Sequence, residues 1–276
     1  MATSRPTESR RGALSLGGTP ILLYHGLTSH ADVDYSSRAR KYWVLAGHFR
    51  DQLASICATG HHVTSLRELW TWNWDPGREG LPAVVTFDDG LSSDYEVAFP
   101  LLLEAALPAE FFVSTANVGR KGFLTWQQVN EMQRAGMSFQ SHSHDHVDLV
   151  RLPIRERERQ MKVSKQILEA RLGQKVEFIA VPYGRLSTEV TELAVEAGYR
   201  AVCTSRSWPA RPGSRLVNRV AVYAKTSPHA FKQLLAGNLS SFAIRAAQEA
   251  MLFFPKLIVS HFTQSHQNDI GLEKIR

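Results

Sequence analysis

Two hydrophobic periods take turns along this chain. Short runs rich in Val, Ile, Leu and Phe stand at residues 20–26, 62–66, 81–87, 109–114, 137–141, 176–181, 199–203, 216–222 and 257–261. Their length and composition predict buried strands. Between them, residues 48–57, 66–70, 95–106, 126–135, 155–172, 188–197 and 228–250 carry apolar side chains at helical spacing. Gly60, Gly136, Gly173 and Gly198 follow four of these helices, and Thr125 precedes one, where a left-handed stop and a hydroxyl cap belong. Pro100 falls inside the helix expected over 95–106 and predicts a kink there. Strand, loop and helix in repeated succession predict an α/β fold with a parallel sheet or barrel.

Composition narrows this picture. With 276 residues and 43% hydrophobic content the chain can fill one large core. A single domain is expected over residues 19–276, behind a disordered tail of residues 1–18 that contains Arg5, Arg10 and Arg11 but no apolar core of signal-peptide length. No apolar run reaches the roughly twenty residues that span a bilayer. The expectation is therefore a cytoplasmic chain without a transmembrane segment. The net charge of +6 and pI near 9.4 leave peripheral membrane association open. Basic residues are scattered except over 151–159, where Glu156 and Glu158 interrupt them, so that stretch reads as a solvated helix face and no nucleic-acid partner is expected. Cys57 and Cys203 stand far apart in apolar settings and are expected to be buried free thiols. Trp70, Trp72 and Trp74 punctuate a Gly/Pro-rich connector, more in keeping with packing onto the body than with sugar stacking.

The chemistry concentrates at strand ends. The strand over 81–87 runs into Asp88-Asp89-Gly90. Adjacent carboxylates repel, and the pair is stable only if a cation sits with it or one carboxyl takes up a proton. Some fifty residues on, Ser141-His142-Ser143-His144-Asp145-His146 supplies three imidazoles, the commonest side chain for first-row metals. One carboxylate with two imidazoles is the ligand set of many hydrolytic zinc centres. His25 ends the first strand on the edge where the aspartates also emerge, and so becomes a candidate for lining the same site.

On these residues the chain resembles the polysaccharide deacetylase family over roughly residues 20–222. Thr86-Phe87-Asp88-Asp89-Gly90 matches its first motif, His142-Ser143-His144-Asp145-His146 its second, and Pro182-Tyr183-Gly184 the core of its third. The resemblance implies a single distorted (β/α) barrel with fewer than eight strands. It also implies a metal-dependent hydrolase that removes N-acetyl or O-acetyl groups from a glycan or glycan precursor. Asp88 would be the catalytic base, and Asp89, His142 and His146 the ligands of a divalent metal, zinc first, with cobalt or nickel as alternatives. The backbone N–H of Tyr183 would hold the oxyanion.

The chain also departs from the family pattern. Ala180-Val181 stands where many members carry an arginine that orients the base, and Arg219 is the candidate to replace it. No counterpart of the fourth motif is apparent, since Trp208 lies among serines and arginines. Of the late histidine motif only His261 remains, and members that begin Tyr-His, as here at Tyr24-His25, look to the early histidine instead. His25 therefore ranks above His261 as general acid. Two other readings compete: an amidohydrolase of small cyclic amides or ureides, and a carbohydrate-binding homologue that has lost catalysis.

Overall fold

In a computed structural model of the chain, the described residues are 19–30, 40–71, 81–211 and 213–247. The expected tail, Trp72, Trp74 and the expected last strand with His261 lie outside them. In chain order the elements are β1 (Ile21–Tyr24), β2 (Leu27–Thr28), β3 (Val44–Leu45), α1 (Ala46–Ala58), β4 (His62–Val63), α2 (Leu66–Trp70), β5 (Pro82–Phe87), α3 (Phe99–Glu104) and β6 (Glu110–Val113). There follow α4 (Trp126–Arg134), β7 (Ser138–Ser141), α5 (Ile154–Leu172), β8 (Phe178–Ala180), α6 (Thr188–Glu196), β9 (Ala201–Cys203), β10 (Leu216–Val217), β11 (Val220–Ala221) and α7 (Pro228–Leu235). Helix ends obey local chemistry: Ser65 with Glu68 and Thr125 with Gln128 form capping boxes, and Gly173 stops α5 at φ 66°.

The main sheet runs β10-β9-β8-β7-β6-β5-β1-β11, with β4 added beside β5, and its pairings are parallel. The two ends of this path, β10 and β11, are separated in sequence only by Asn218 and Arg219. Three peptide links span at most about 11 Å, so the edges of the sheet meet. One strand, interrupted by a jog, pairs first with β9 and then with β1, and so closes a parallel barrel. With β10 and β11 taken as one interrupted strand, the barrel has seven staves, in line with the expectation of fewer than eight.

Period-2 alternation gives each stave an inner and an outer face. Ile21, Val84, Phe112, Phe178, Ala180, Ala201, Cys203 and Val217 form one apolar cluster, the filling of the barrel, with Leu66 and Leu69 of α2 at its base. The alternate residues Leu22, Tyr24, Val85, Phe87, Phe111, Val113, Phe139, Ile179 and Val202 belong to the second cluster with the covering helices. In that outer layer Tyr24, Phe87, Phe111 and Phe139 are register partners on four adjacent strands, stacked with centroids 5.3, 4.9 and 5.5 Å apart. Such cross-strand aromatic contacts fix register as well as burying area. By the same parity, His25, Asp88 and His142 share the inward face at the C-terminal ends of β1, β5 and β7.

Four expectations change. The helix predicted over 95–106 starts as a wide π turn, Asp94–Ala98, before α3, because Pro100 has no N–H for the regular ladder. The single strand predicted over 216–222 divides where it changes partner. The helix predicted from 228 stops at Leu235, where Gly237 adopts φ 68°, and helical residues resume at 239–247. Cys203 is buried as expected, whereas Cys57 is exposed, because it stands one position past the stripe Phe49, Leu53, Ile56 that α1 buries. Trp70 packs edge-on against Phe178 at 5.8 Å, as a structural tryptophan would. Among the described residues no helix is long and apolar enough to cross a membrane.

Phe111 stands mid-ladder with no exposed surface, so Phe111→Ala is expected to lower unfolding free energy by about 3–5 kcal/mol. Urea denaturation with an unchanged m-value is the check.

Candidate metal centre

Asp89 and Gly90 leave β5 through two successive left-handed residues, at φ 79° and 70°. The turn lifts the Asp89 carboxylate off the strand toward the loop after β7. Only glycine suits the second position, since a Cβ there would lie 2.8 Å from Val113 Cγ1. The β7 loop turns in the same manner, with Ser143 at φ 64° and His146 at φ 56°. Hydrogen bonds from Thr115 N to Ser143 O (3.3 Å), from Ala116 N to His144 O (3.0 Å) and from Ser114 Oγ to His142 O (2.9 Å) tie it to the end of β6.

These turns bring Asp89 Oδ1 within 3.3 Å of His142 Nε2 and 3.0 Å of His146 Nε2. One ligand atom from each of the three residues lies within 4.8 Å of the others, and among the described residues this is the group of such side chains suited to a metal. Ligand atoms about 2.0–2.2 Å from a common tetrahedral ion stand a little over 3 Å apart, so the donor set fits a small divalent cation. His142 Nδ1 lies 2.9 Å from Ala180 O. A backbone carbonyl there selects the Nδ1–H tautomer and leaves Nε2 as the electron-pair donor. His144 turns away: its Nδ1 contacts Thr115 Oγ1 at 2.7 Å and its Nε2 lies 3.6 Å from Asp145.

The two aspartates have separate side-chain partners, Arg219 for Asp88 and the two histidines for Asp89. Arg219, at the barrel seam, donates from Nη1 to Asp88 Oδ1 at 2.6 Å and from Nη2 to Oδ2 at 2.7 Å. Its Nε donates to Thr204 O at 3.1 Å, and the guanidinium lies over the Phe112 ring at 4.8 Å. The arginine absent from the third motif thus has a counterpart some forty residues downstream. Burial by itself would raise the Asp88 pKa, but Arg219 and His142 hold its carboxyl below the ordinary range. Burial would likewise raise Asp89, and hydrogen bonds from His142 and His146 hold it well below. Burial would lower His142, yet the charges of Asp88 and Asp89 raise its pKa above 6.5.

His25 lines the same cavity of about 520 Å³, together with Tyr42, Asp88, Asp89, His142, His146, Tyr183 and Arg219. Its ring lies 4.7 Å from that of Tyr42 and its Nδ1 is buried without a partner. Burial lowers its pKa, against the pull of Asp89. Tyr183 adopts φ 61° with its side chain exposed at the cavity mouth, 5.1 Å from the His146 ring. Asp94 is a neighbour the sequence reading passed over. Among the described residues neither of its buried carboxylate oxygens has a well-formed hydrogen bond, and burial, then the charge of Asp89, push its pKa well up against a weak backbone contact from Leu91. The only sequence sign of it was an acidic residue at a position where the wide turn faces the core.

A polysaccharide deacetylase family profile matches residues 78–202. YxkH of Bacillus subtilis, assigned by name to the polysaccharide deacetylases, is 27% identical over 77% of this chain and 74% of its own length. A poly-β-1,6-N-acetyl-D-glucosamine N-deacetylase of Staphylococcus aureus is 23% identical over 60% of this chain and 62% of its own. Among solved structures, the Streptococcus pyogenes deacetylase PplD in complex with acetate superposes with TM-score 0.71 and 28% identity, covering 79% of this chain and 98% of PplD. IcaB from Ammonifex degensii gives 0.67 and 29%, covering 80% and 97%.

Two measurements check the site. Because the metal-free His142 pKa is raised, protons compete for its Nε2 from above 6.5 downward, and zinc affinity should fall by about tenfold per pH unit for each proton displaced as pH drops through that region. Calorimetry across that range reads it. Arg219→Met leaves the buried Asp88 charge unpaired and should destabilise by about 3–5 kcal/mol, measured by denaturation of the chelated protein.

Proposed function

We propose, from the similarity of this chain to the polysaccharide deacetylase family, that it is a zinc-dependent hydrolase releasing acetate from N-acetylated sugars of a glycan. The observation that carries the reading is the convergence of Asp89, His142 and His146 next to an independently held Asp88.

A divalent ion bound by those three residues supplies Lewis-acid chemistry, polarising a carbonyl and acidifying water. Asp88 takes the proton of the attacking water. Both of its oxygens face Arg219, which keeps the carboxylate ionised at neutral pH and fixes its plane, so its basicity is modest and its aim is good. The N–H of Tyr183, on a left-handed turn beside His146, meets the oxyanion as charge develops. His25 gives a proton to the departing amine, and its lowered pKa makes the imidazolium a stronger acid once formed. Of the two features that favour a homologue without catalysis, the missing arginine and the absent fourth motif, Arg219 answers the first. An open cavity extending past Tyr183 and Gly184 favours a polymer over a small cyclic amide.

Acetate release from β-1,6-linked and β-1,4-linked N-acetylglucosamine oligomers tests the reading. Chelation should abolish it and zinc restore it; turnover indifferent to chelator overturns it. Asp88→Asn should retain zinc while kcat falls by about 10²–10⁴-fold, whereas Asp89→Asn, His142→Ala and His146→Ala should lose the metal as well. Since Asp88 also neutralises Arg219, metal content and unfolding are to be measured on the same samples.

A further inference from the structure

Helix α5 buries Gln160, Ser164, Leu168 and Leu172, a stripe of four-residue steps along one side. The stripe is apolar toward its C-terminal end and polar at the end nearest the loop after β7. A buried amide among core positions is costly unless its polar atoms find partners. We propose that Gln160 is a positioning residue for the metal centre, holding the loop from His142 to His146 in the shape that aims His146. The proposal rests on the reading of Asp89, His142 and His146 as metal ligands.

Three observations carry it. The first is the geometry of the amide. Gln160 is 1% exposed. Asp145 N donates to its Oε1 at 2.8 Å, and its Nε2 donates to Asp145 Oδ2 at 2.6 Å and to Glu156 Oε1 at 3.0 Å. An N–H on one side and carboxylates on the other call for an acceptor and a donor in one group. That fixes the orientation of the amide and excludes a carboxylate, an ammonium or an alkyl group in its place.

The second is how unevenly the loop is held. Its first half is tied to the segment after β6 through Ser143 O and His144 O, and to β7 by Ser143 N donating to Ser141 Oγ at 3.2 Å. For residues 145–147 the backbone hydrogen bond among the described residues is the one from Asp145 N to Gln160. His146 follows at φ 56°, a conformation that persists only where the surroundings over-determine it.

The third is a difference between the two histidines. The His142 ring is oriented by Ala180 O, 2.9 Å from its Nδ1. His146 Nδ1 has no hydrogen bond among the described residues, so the aim of that ring is set through its backbone. The helix that supplies Gln160 is itself fixed: Ser164 Oγ lies 2.8 Å from Ser141 Oγ on β7, and Tyr199 O–H donates to Met161 O at 2.9 Å. His146 is thereby referred to the same strand that delivers His142.

The test measures zinc affinity of the full chain by chelator competition, with unfolding of the metal-free protein followed on the same samples. Gln160→Leu removes donor and acceptor, whereas Gln160→Glu keeps the acceptor but sets a carboxylate against Asp145 and Glu156. Each should weaken zinc binding by about 10–100-fold and shift the visible spectrum of the cobalt-loaded form. Adding Asp145→Asn to Gln160→Glu returns the cluster to one amide and two acids, and should recover most of the affinity. A role confined to stability would lower the unfolding midpoint while the folded variants kept the parent's zinc affinity and cobalt spectrum; that result overturns the proposal. So does a double variant that binds zinc no more tightly than Gln160→Glu. If Gln160→Leu does not fold, Gln160→Glu and the double variant decide. If the parent chain takes up no zinc, the metal reading fails, and hydrogen exchange of the metal-free chain decides the clamp by itself. Amides 145–147 exchanging faster in the variants than in the parent sustain it, and equal rates overturn it.

Discussion

The bidentate contact between Arg219 and Asp88 joins the two ends of the sheet to the centre of the active site. Arg219 sits in the two-residue jog where the last strand leaves β9 and takes up β1. From there its guanidinium reaches Asp88 at the tip of β5, Thr204 at the tip of β9 and the face of Phe112 inside the barrel. A buried ion pair contributes little net stability by itself, because desolvation offsets attraction. Removing either partner is a different matter, since it strands a charge where water cannot reach. Closure of the barrel and ionisation of the Asp88 carboxyl are therefore linked through Arg219.

With Asp88 held by arginine, the neighbouring Asp89 is free to serve the histidines. Adjacent residues on a strand point to opposite faces, and two carboxylates serving one cavity cannot both follow that rule. The left-handed turn at Asp89 and Gly90 resolves the conflict by taking Asp89 off the strand. Of the five non-glycine residues with positive φ among the described residues, Asp89, Ser143, His146 and Tyr183 all belong to the loops around this cavity. Each such conformation costs of the order of 1–3 kcal/mol. The rest of the barrel, ordered and closely packed, over-determines these turns.

Similarity to the polysaccharide deacetylases goes together with the cluster of Asp89, His142 and His146, and other features are particular to this chain. The arginine that meets Asp88 comes from the barrel seam and not from the third motif, and it contacts both carboxylate oxygens. Residues 197–248, which include the seam, carry no Asp or Glu, and Arg206 and Arg211 of that segment line a hollow beside the metal cavity.

Alternation of short β-branched runs with helix-period segments pointed to a parallel sheet or barrel, and the resemblance carried by three motifs implied the barrel and singled out Asp88, Asp89, His142, His146 and Tyr183 without coordinates. These features are local: a strand end, a ligand pair within one loop and a turn after a strand each lie within a few residues of sequence. Other features were settled in three dimensions alone. Nothing in Leu216-Val217-Asn218-Arg219-Val220 says that the strand changes partner at its middle, nor that Arg219 meets a carboxylate 131 residues earlier, because both follow from the sheet curling until its edges meet. The exposure of Cys57, the wide turn before Pro100 and the unpaired burial of Asp94 depend on which side of each element the core occupies. Periodicity shows that a segment has two faces, but only packing decides what lies against each.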